Sequence, residues 1–407
     1  MPASSVPLEP ELFHSMVPEY MENLYPVCPI LEEAELRAYI REMHVDRDAA
    51  ALVYAAAGVG FFTRQQSKTW EPNCYQQTAE MVELALNHHD ALMIGNAPTL
   101  TRIIGCVFIE VCLMVTQRSD LAFFYLRETI SLIFMRGLDA FLGEKAVNPT
   151  EYARRERIYW VLFIHERVLA INGSTTVCLD PLPSLPDVTG SPQSSVQRGW
   201  NHIVENYLVV DKDFIRFWRE RSLVTADWIQ AKHQQLADPS WDPEITMLQP
   251  IQQVDLIITR HWLRTVMWQM AVSNMLLSSK ADQPEALSLF MPLRLSKHLK
   301  ACLATLSHYN LAVYNVGLVP KLFEITTSVA DVVLALPPGD FTEETRLRIQ
   351  DLLLIKHFLL ELTYVTPVHR EVLQEKTLSI INRLYGDSRP DDLFLNAESS
   401  NTIHSAV

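Results

Sequence analysis

Glycine is scarce in this chain, which has 12 glycines among its 407 residues. That is about 3%, against about 7% in an average protein. Few glycines allow few tight β-turns, and they leave no Gly-rich loop that could cradle a phosphate group. The scarcity therefore disfavours β-rich folds and nucleotide-binding motifs, and it favours helix.

Basic residues are outnumbered, with 34 Lys and Arg against 48 Asp and Glu and a net charge of −14. A surface of that charge repels phosphate groups, so we expect no direct binding of nucleic acid or of an anionic membrane. No apolar run reaches the roughly 20 residues of a membrane span, because Glu110 interrupts the most apolar stretch. Residues 1–10 lack the basic and apolar parts of a secretory signal. We expect a soluble intracellular protein.

The six cysteines form neither a C-x-x-C pair nor a dense framework, so we predict no disulfides and no zinc site. The sequence also has no G-x-G-x-x-G, no G-x-S-x-G and no H-E-x-x-H. His88 and His89 are adjacent, and on a helix they would point about 100° apart, which prevents them from chelating one metal together. We therefore predict no catalytic, cofactor-binding or metal-binding residues.

Helical periodicity is what the sequence has in abundance. Residues 98–117 carry an i, i+3, i+4, i+7 apolar stripe, with Pro98 in the predicted first turn. A second helix, predicted to be capped by Ser119 and to end at Gly137, should pack antiparallel to the first because the turn between them is so short. A third helix is predicted from Thr150 to 172–173, with Ile158–Ile164 apolar on every side. Further helices are predicted at 199–237, 245–279, 285–309, 315–336, 342–364 and 367–385.

This pattern predicts an all-α fold, a large multi-helix bundle of packed helical hairpins in a solenoid-like arrangement. No fixed repeat period supports a consensus solenoid. Four proline residues between 181 and 192 favour an extended crossing after the third helix. We therefore divide the chain into a disordered lead (1–10), an N-terminal helical half (11–190), a C-terminal helical half (191–385) and a flexible acidic-hydrophobic tail (386–407).

The predicted third helix carries charges at both ends of its apolar middle. Arg155 and Glu166 are eleven residues apart, about 16 Å along a helix, so they cannot pair with each other. If they are buried, each needs a partner on a neighbouring element, because an unpaired buried charge is costly. Spacing alone leaves open that these charges line the solvent rim of the helix.

Several short motifs occur together in the first half of the chain. They are Pro29-Ile30-Leu31, Gly137-Leu138-Asp139, Arg154-Arg155, Tyr159-Trp160, Glu166-Arg167 and Leu185-Pro186. In this order they resemble the middle homology region of fungal binuclear zinc-cluster transcription factors. The resemblance covers roughly residues 11–190 and is only compositional beyond them.

The resemblance implies an all-helical, nuclear regulatory domain that acts in transcription regulation, with metabolic or secondary-metabolite genes as its targets. It implies other transcription regulators or coactivators as partners, a small-molecule effector, and association as a homodimer or heterodimer. It also assigns a structural or regulatory motif, formed by Arg154, Arg155, Trp160, Glu166 and Arg167.

The chain departs from that family in one respect. A binuclear zinc cluster needs six closely spaced cysteine thiolates, and none of the six cysteines here is placed that way. We therefore expect no cofactor in this chain, with zinc present only if a cluster lies upstream. Either the chain is the regulatory half of a longer factor, or it is a natural protein without the DNA-binding half. DNA contact would then need a partner chain.

The tail contains an acidic and hydrophobic cluster of the kind found in activation segments. Its residues are Asp391, Asp392, Leu393, Phe394 and Leu395. Such a segment could fold into a coactivator groove, or Phe394 could instead dock onto its own domain.

Two other functions stay open. A small-molecule-binding or enzymatic protein on the same helical scaffold would use an aromatic-rich interior, although these rings could equally be core. The rings in question are Trp160, Trp262, Trp268, Tyr309 and Tyr314. An interaction scaffold of the α-solenoid type is supported only by the helix content.

Overall fold

The fold is all-α, as the composition predicts. The computed structural model describes residues 10–64, 73–91, 97–173, 175–188, 193–221, 224–236, 245–280, 283–305, 315–336, 343–362 and 365–385. In these residues the regular structure is helical, apart from one isolated backbone pairing between Ser278 and Ser288. The solenoid-like arrangement stays a prediction.

The helices of the first half of the chain end where α8 meets the proline-rich segment. They are α1 (Pro10–Asn23), α2 (Glu33–Glu42), α3 (Arg47–Arg64), α4 (Asn73–His88), α5 (Leu100–Val115), α6 (Ser119–Arg136), α7 (Leu138–Leu142) and α8 (Pro149–Gly173). Residues 175–188, which follow α8, are irregular, in agreement with their proline content.

The second half contains the remaining described helices and one short 3-10 helix (Glu285–Leu287). The α-helices are α9 (Ser194–Leu208), α10 (Lys212–Glu220), α11 (Ala226–Leu236), α12 (Pro250–Ser273), α13 (Met291–Thr305), α14 (Asn315–Ala335), α15 (Glu343–Glu361) and α16 (Pro367–Tyr385). Among all the described helices, none is long and apolar enough to cross a bilayer.

Helices α5 and α6 form the predicted antiparallel hairpin. Arg136, the last residue of α6, donates from Nη1 to the carbonyl of Pro98 at 2.9 Å, so the end of α6 lies beside the start of α5. Gly137 then turns the chain with a φ of +81°, a conformation that favours glycine because it has no Cβ. Pro98 is outside α5, since the Thr99 hydroxyl caps it by accepting from the backbone N–H of Arg102 at 3.0 Å.

Two predicted caps are wrong by one or two residues. Ser119 is the first residue of α6 rather than its cap. At α8 the cap is Asn148, whose Oδ1 accepts from the backbone N–H of Glu151 at 3.0 Å, and not Thr150. Pro149 occupies the first helical position, where its missing N–H costs nothing.

The predicted single helix over 199–237 is wrong, because the described residues of this region form three helices. The first of them, α9, ends at Leu208. Asp211 then starts α10, because its carboxylate caps that helix by accepting from the backbone N–H of Phe214 at 2.8 Å. Arg221, with a φ of +46°, then ends α10 in a left-handed conformation. An aspartate that can cap a new helix competes with continuation of the old one.

The apolar core is continuous from α1 to α16. Helix α8 lies inside it, and residues 158–164 are all buried, which confirms that this segment is apolar on every side because other elements surround it. Helix α12 is the buried counterpart in the second half, with Trp262, Leu263, Val266 and Met267 almost without exposure.

Candidate functional site

The charged residues of α8 are buried together with its apolar middle. Arg154, Arg157, Glu166 and Arg167 are all buried, while Arg155 is partly exposed. The interpretation that these charges line a solvent rim is therefore wrong for four of the five. Each of these four buried charges has polar partners, as burial requires.

Glu166 is the centre of one cluster of such partners. Its carboxylate accepts from Arg127 Nη1 of α6 at 2.8 Å and from Arg167 Nη1 at 2.9 Å. It also accepts from the backbone N–H groups of Cys178 at 2.8 Å and Leu179 at 3.0 Å. The carboxylate therefore joins α6, α8 and the proline-rich segment after α8. We call these five residues the ionic knot.

Arg167 extends the ionic knot towards the second half of the chain. Its guanidinium lies over the ring of Phe163, 3.3 Å from the centroid, and donates to the carbonyls of Leu179 at 2.6 Å and Val210 at 3.3 Å. Burial lowers the pKa of Arg167 to about 10, and the Glu166 carboxylate opposes that shift. Arg167 is therefore charged at neutral pH, and it holds the backbone of the proline-rich segment at Leu179 and of the junction between α9 and α10 at Val210.

Cys178 has a structural part in the ionic knot. Its thiol donates to Glu166 Oε1 at 3.1 Å, and Arg127 Nη1 donates to its sulfur at 2.9 Å. Burial and the bond to Glu166 raise the pKa of this thiol to about 11. The sulfur is therefore protonated at neutral pH, which is the state of an inert cysteine rather than of a nucleophile.

The first turns of α8 make a second set of ion pairs. Arg154 donates to Glu35 of α2 at 2.6 Å and to Glu151 of its own helix at 2.8 Å. Arg155 donates to Glu151 at 2.7 Å and to the carbonyl of Phe141 in α7 at 2.8 Å. The Arg-Arg motif therefore connects α8 with α2 and α7.

Arg157 contacts the turn at Pro29-Ile30-Leu31, the first of the motifs on which the resemblance rests. Its Nε donates to the carbonyl of Pro29 at 2.7 Å, and the neighbouring residues Ile30 and Leu31 are fully buried. The hydroxyl of Tyr20 donates to the carbonyl of Leu31 at 3.1 Å from the other side. The sequence places Arg157 in the run of charges at the start of this helix, although the motif that the resemblance assigns does not include it.

Trp160 is a core residue in the middle of α8. Its indole is 1% exposed and meets the ring of Phe163 edge to face, with 5.0 Å between centroids. The structure therefore brings Glu166 and Arg167 into one cluster and Arg154 and Arg155 into another, and it places Trp160 between them as packing.

One polar cluster was not expected from the sequence. His89, Cys106 and Glu128 each offer a ligand atom within 4.8 Å of the others. Arg102 Nη2 lies 3.1 Å from His89 Nε2 and 3.8 Å from Glu128, whose carboxylate is 2.9 Å from His89. The guanidinium thus already supplies the positive charge that balances Glu128, and a metal ion there would have to be placed beside it.

A cleft of about 530 Å³ opens where the ends of α8, α10 and α12 meet α14. Its walls include Asn172, Trp218, Gln269 and Asp331. Trp268, one of the predicted interior rings, also lines it, although it is buried. The volume lies in the usual range of small-molecule sites, roughly 300 to 1,000 Å³.

Other predicted residues fall elsewhere. Trp262 is fully buried in α12, so its ring belongs to the core. Tyr309 and Tyr314 lie outside the described residues, as do Asp391, Asp392, Leu393, Phe394 and Leu395 of the predicted activation segment.

The chain is distantly similar to a fungal protein. It is 21% identical over 326 residues to the "Probable sucrose utilization protein SUC1" of Candida albicans. The similar region covers 77% of this chain and 63% of that relative, so the chain spans less than two thirds of the relative's length. No protein-family model matches the chain.

Proposed function

We propose that this chain is a regulatory part of a fungal transcription regulator of metabolic genes, and that it acts without catalysing a reaction. In this proposal the helical unit responds to a metabolite or a partner protein and passes the response to other transcription regulators or coactivators. These 407 residues have no zinc cluster, so another segment or a partner chain would contact DNA.

The observation that carries the proposal is the place of the motif residues. Glu166 and Arg167 join α8 to α6, to the proline-rich segment and to the start of the second half. Arg154 and Arg157 join the same helix to α2 and to the turn at Pro29. The motif residues therefore fix the position of α8 relative to its neighbours. This suits a regulatory domain that responds by changing the relative positions of its helices.

The distant relative supports the metabolic part of the proposal. Its printed name refers to sucrose utilization, and it comes from a fungus. Carried to this chain, that name favours a regulator of genes for carbon-source use over one of secondary metabolism.

Chromatin immunoprecipitation of the tagged native chain would test the proposal. We expect promoter occupancy at a set of metabolic genes and altered transcript levels of the same genes after deletion. A Glu166→Ala variant should lose the regulation, and Glu33→Ala, in an exposed pair with Arg37, should keep it. Unchanged transcripts on deletion, with no promoter occupancy, would contradict the proposal.

The cleft is a specific reason to keep a second candidate, a small-molecule-binding protein with no part in transcription. Such a protein would have the same fold and would bind its ligand in this cleft. Ligand binding by the purified chain together with no promoter occupancy would favour it.

A further inference from the structure

The cleft between α8, α10, α12 and α14 is lined by both aromatic and polar side chains. It combines partly exposed aromatic rings of α10 with amide, hydroxyl and charged groups from three other helices. These groups lie far apart in the chain, since Asn172, Trp218, Gln269 and Asp331 follow one another at intervals of 46, 51 and 62 residues. Nothing local in the sequence marks them as one site.

The charges of the cleft are largely neutralised by neighbours. Arg219 is paired with Glu220 at 2.5 Å, and Asp331 is paired with Lys376 of α16. Arg221 sits beyond the last turn of α10, where the negative end of the helix dipole offsets its charge. The cleft therefore has no strong preference for a charged ligand.

The polar groups of the cleft can both donate and accept hydrogen bonds. Gln269 donates from Nε2 to the hydroxyl of Ser328 at 3.1 Å, which leaves its carbonyl oxygen as an acceptor. Asn172 is exposed at the end of α8, and its amide makes no hydrogen bond within the described residues. The Asn274 amide already accepts from the backbone N–H of Val224 and donates to the carbonyl of Met270, so this side chain is a fixed part of the cleft wall. Amides next to hydroxyls match ligand hydroxyl groups, which also donate and accept.

A fixed aromatic ring supplies an apolar wall. The indole of Trp218 donates to the carbonyl of Ile171 at 2.9 Å, which fixes its orientation, and the side chain stays partly exposed. An aromatic ring in this setting offers a flat apolar surface beside polar groups. A sugar ring has the same two sides, with apolar C–H groups on its face and hydroxyls around its edge.

From this combination we infer that the cleft binds a neutral sugar, a monosaccharide or a disaccharide. The inference rests on the proposed function, because it gives the regulatory unit its effector. The site is also connected to the ionic knot. Asn172 lies five residues after Arg167 on α8, and Arg167 holds the Val210 carbonyl just before α10, which carries Trp218. A sugar bridging Asn172 and Trp218 would therefore favour one position of α10 relative to α8.

Isothermal titration calorimetry of the full purified chain would test the inference. Sucrose, maltose and glucose would be the probes, with glucose 6-phosphate and citrate as anionic comparison compounds. We expect at least one neutral sugar to bind and the anions not to bind more tightly. Asn172→Ala and Gln269→Ala should each weaken that sugar about fivefold, the factor given by the loss of one neutral hydrogen bond.

The matched control is Asn382→Ala on α16, since Asn382 is exposed and does not line the cleft. It should leave sugar affinity unchanged, and thermal melts would verify that all the variants are folded. Trp218→Ala should abolish binding, whereas Trp218→Phe, which keeps a ring, should retain part of it.

Three results would overturn the inference: no heat with any sugar, tighter binding of an anion, or equal affinities for Asn172→Ala and the wild type. Promoter occupancy in cells is measured independently. No sugar binding with intact occupancy would therefore remove this inference alone, and sugar binding without occupancy would remove only the transcriptional role.

Discussion

At the scale of single residues, burial decides what the charges of this protein can do. A carboxylate with 1% of its surface exposed is stable only when donors surround it, and Glu166 has two guanidinium groups and two backbone N–H groups. The sequence predicted that such charges, if buried, would need partners on neighbouring elements. It did not predict Arg127 as the partner, because Arg127 lies 39 residues away on another helix.

Glu166→Gln should lower the free energy of unfolding by about 2–4 kcal/mol, because its amide nitrogen would face donors that have lost their acceptor. Urea denaturation at pH 7 would measure the loss. Glu33→Gln is the control: Glu33 forms an exposed pair with Arg37 at 2.8 Å, and its loss should cost less than about 0.5 kcal/mol. Similar losses in both variants would contradict a stabilising role for the ionic knot.

His233 should make stability depend on pH. Burial, reinforced by Arg264, lowers its pKa to about 3, whereas an unfolded histidine titrates near 6.5. The unfolded chain therefore binds the proton more tightly, and stability present above about pH 6.5 is lost as the pH falls towards 3. Between pH 7 and pH 5 this one group should remove about 2 kcal/mol.

In His233→Gln the amide can still accept from Arg264 Nε, which lies 3.0 Å from His233 Nε2, but it does not titrate. The difference in unfolding free energy between pH 7 and pH 5 should therefore be about 2 kcal/mol smaller than in the wild type. His44→Gln, at an exposed position, should leave that difference unchanged. If His233→Gln showed the same difference in unfolding free energy as the wild type, this histidine would not be the source of the pH dependence.

At the scale of secondary-structure elements, capping residues determine where a helix ends when the apolar periodicity continues past the boundary. The apolar pattern continues through 199–237, yet Asp211 begins a new helix there, because its carboxylate both caps α10 and pairs with Lys232 of α11. The break lets α10 cross the end of α8, where it forms one wall of the cleft. Aspartate is a common capping residue, so the sequence allows a helix to begin at Asp211. The sequence does not show the ion pair with Lys232 of α11, which holds Asp211 at this break between helices.

Asp211→Ala should destabilise the protein by about 2–3 kcal/mol, since α10 loses its cap and the ammonium of Lys232, which is buried, loses its carboxylate. Asp211→Asn keeps an oxygen for the cap and should lose less. Urea denaturation of both variants would separate the two contributions. Equal losses would show that the cap itself contributes nothing.

At the scale of the whole molecule, single side chains connect the two halves into which the sequence was divided at residue 190. Gln252 of α12 donates to the carbonyls of Pro26, after α1, and of Val196 in α9, both at 2.7 Å. The approach requires glycine at position 199, where an added Cβ would lie 2.2 Å from Gln252 Oε1.

Gly199→Ala should therefore destabilise the protein by about 2–3 kcal/mol, although alanine is favoured over glycine in a helix by about 1 kcal/mol. In a Gln252→Ala background the same change should be neutral or stabilising, because the clash is gone. A double-mutant cycle by urea denaturation measures this coupling. Additive effects, within about 0.5 kcal/mol, would contradict the proposed contact.

The sequence by itself determined the all-α class, the α5–α6 hairpin and the apolar α8, because periodicity, prolines and glycines act on the backbone within a few residues. Only the tertiary structure decided which charges are buried together and which helix ends form the cleft. Arg127 and Glu166, or Asn172 and Trp218, meet because helices far apart in the chain pack side by side. Electrostatic and packing interactions depend on distance in space, and no local pattern in the sequence records that distance.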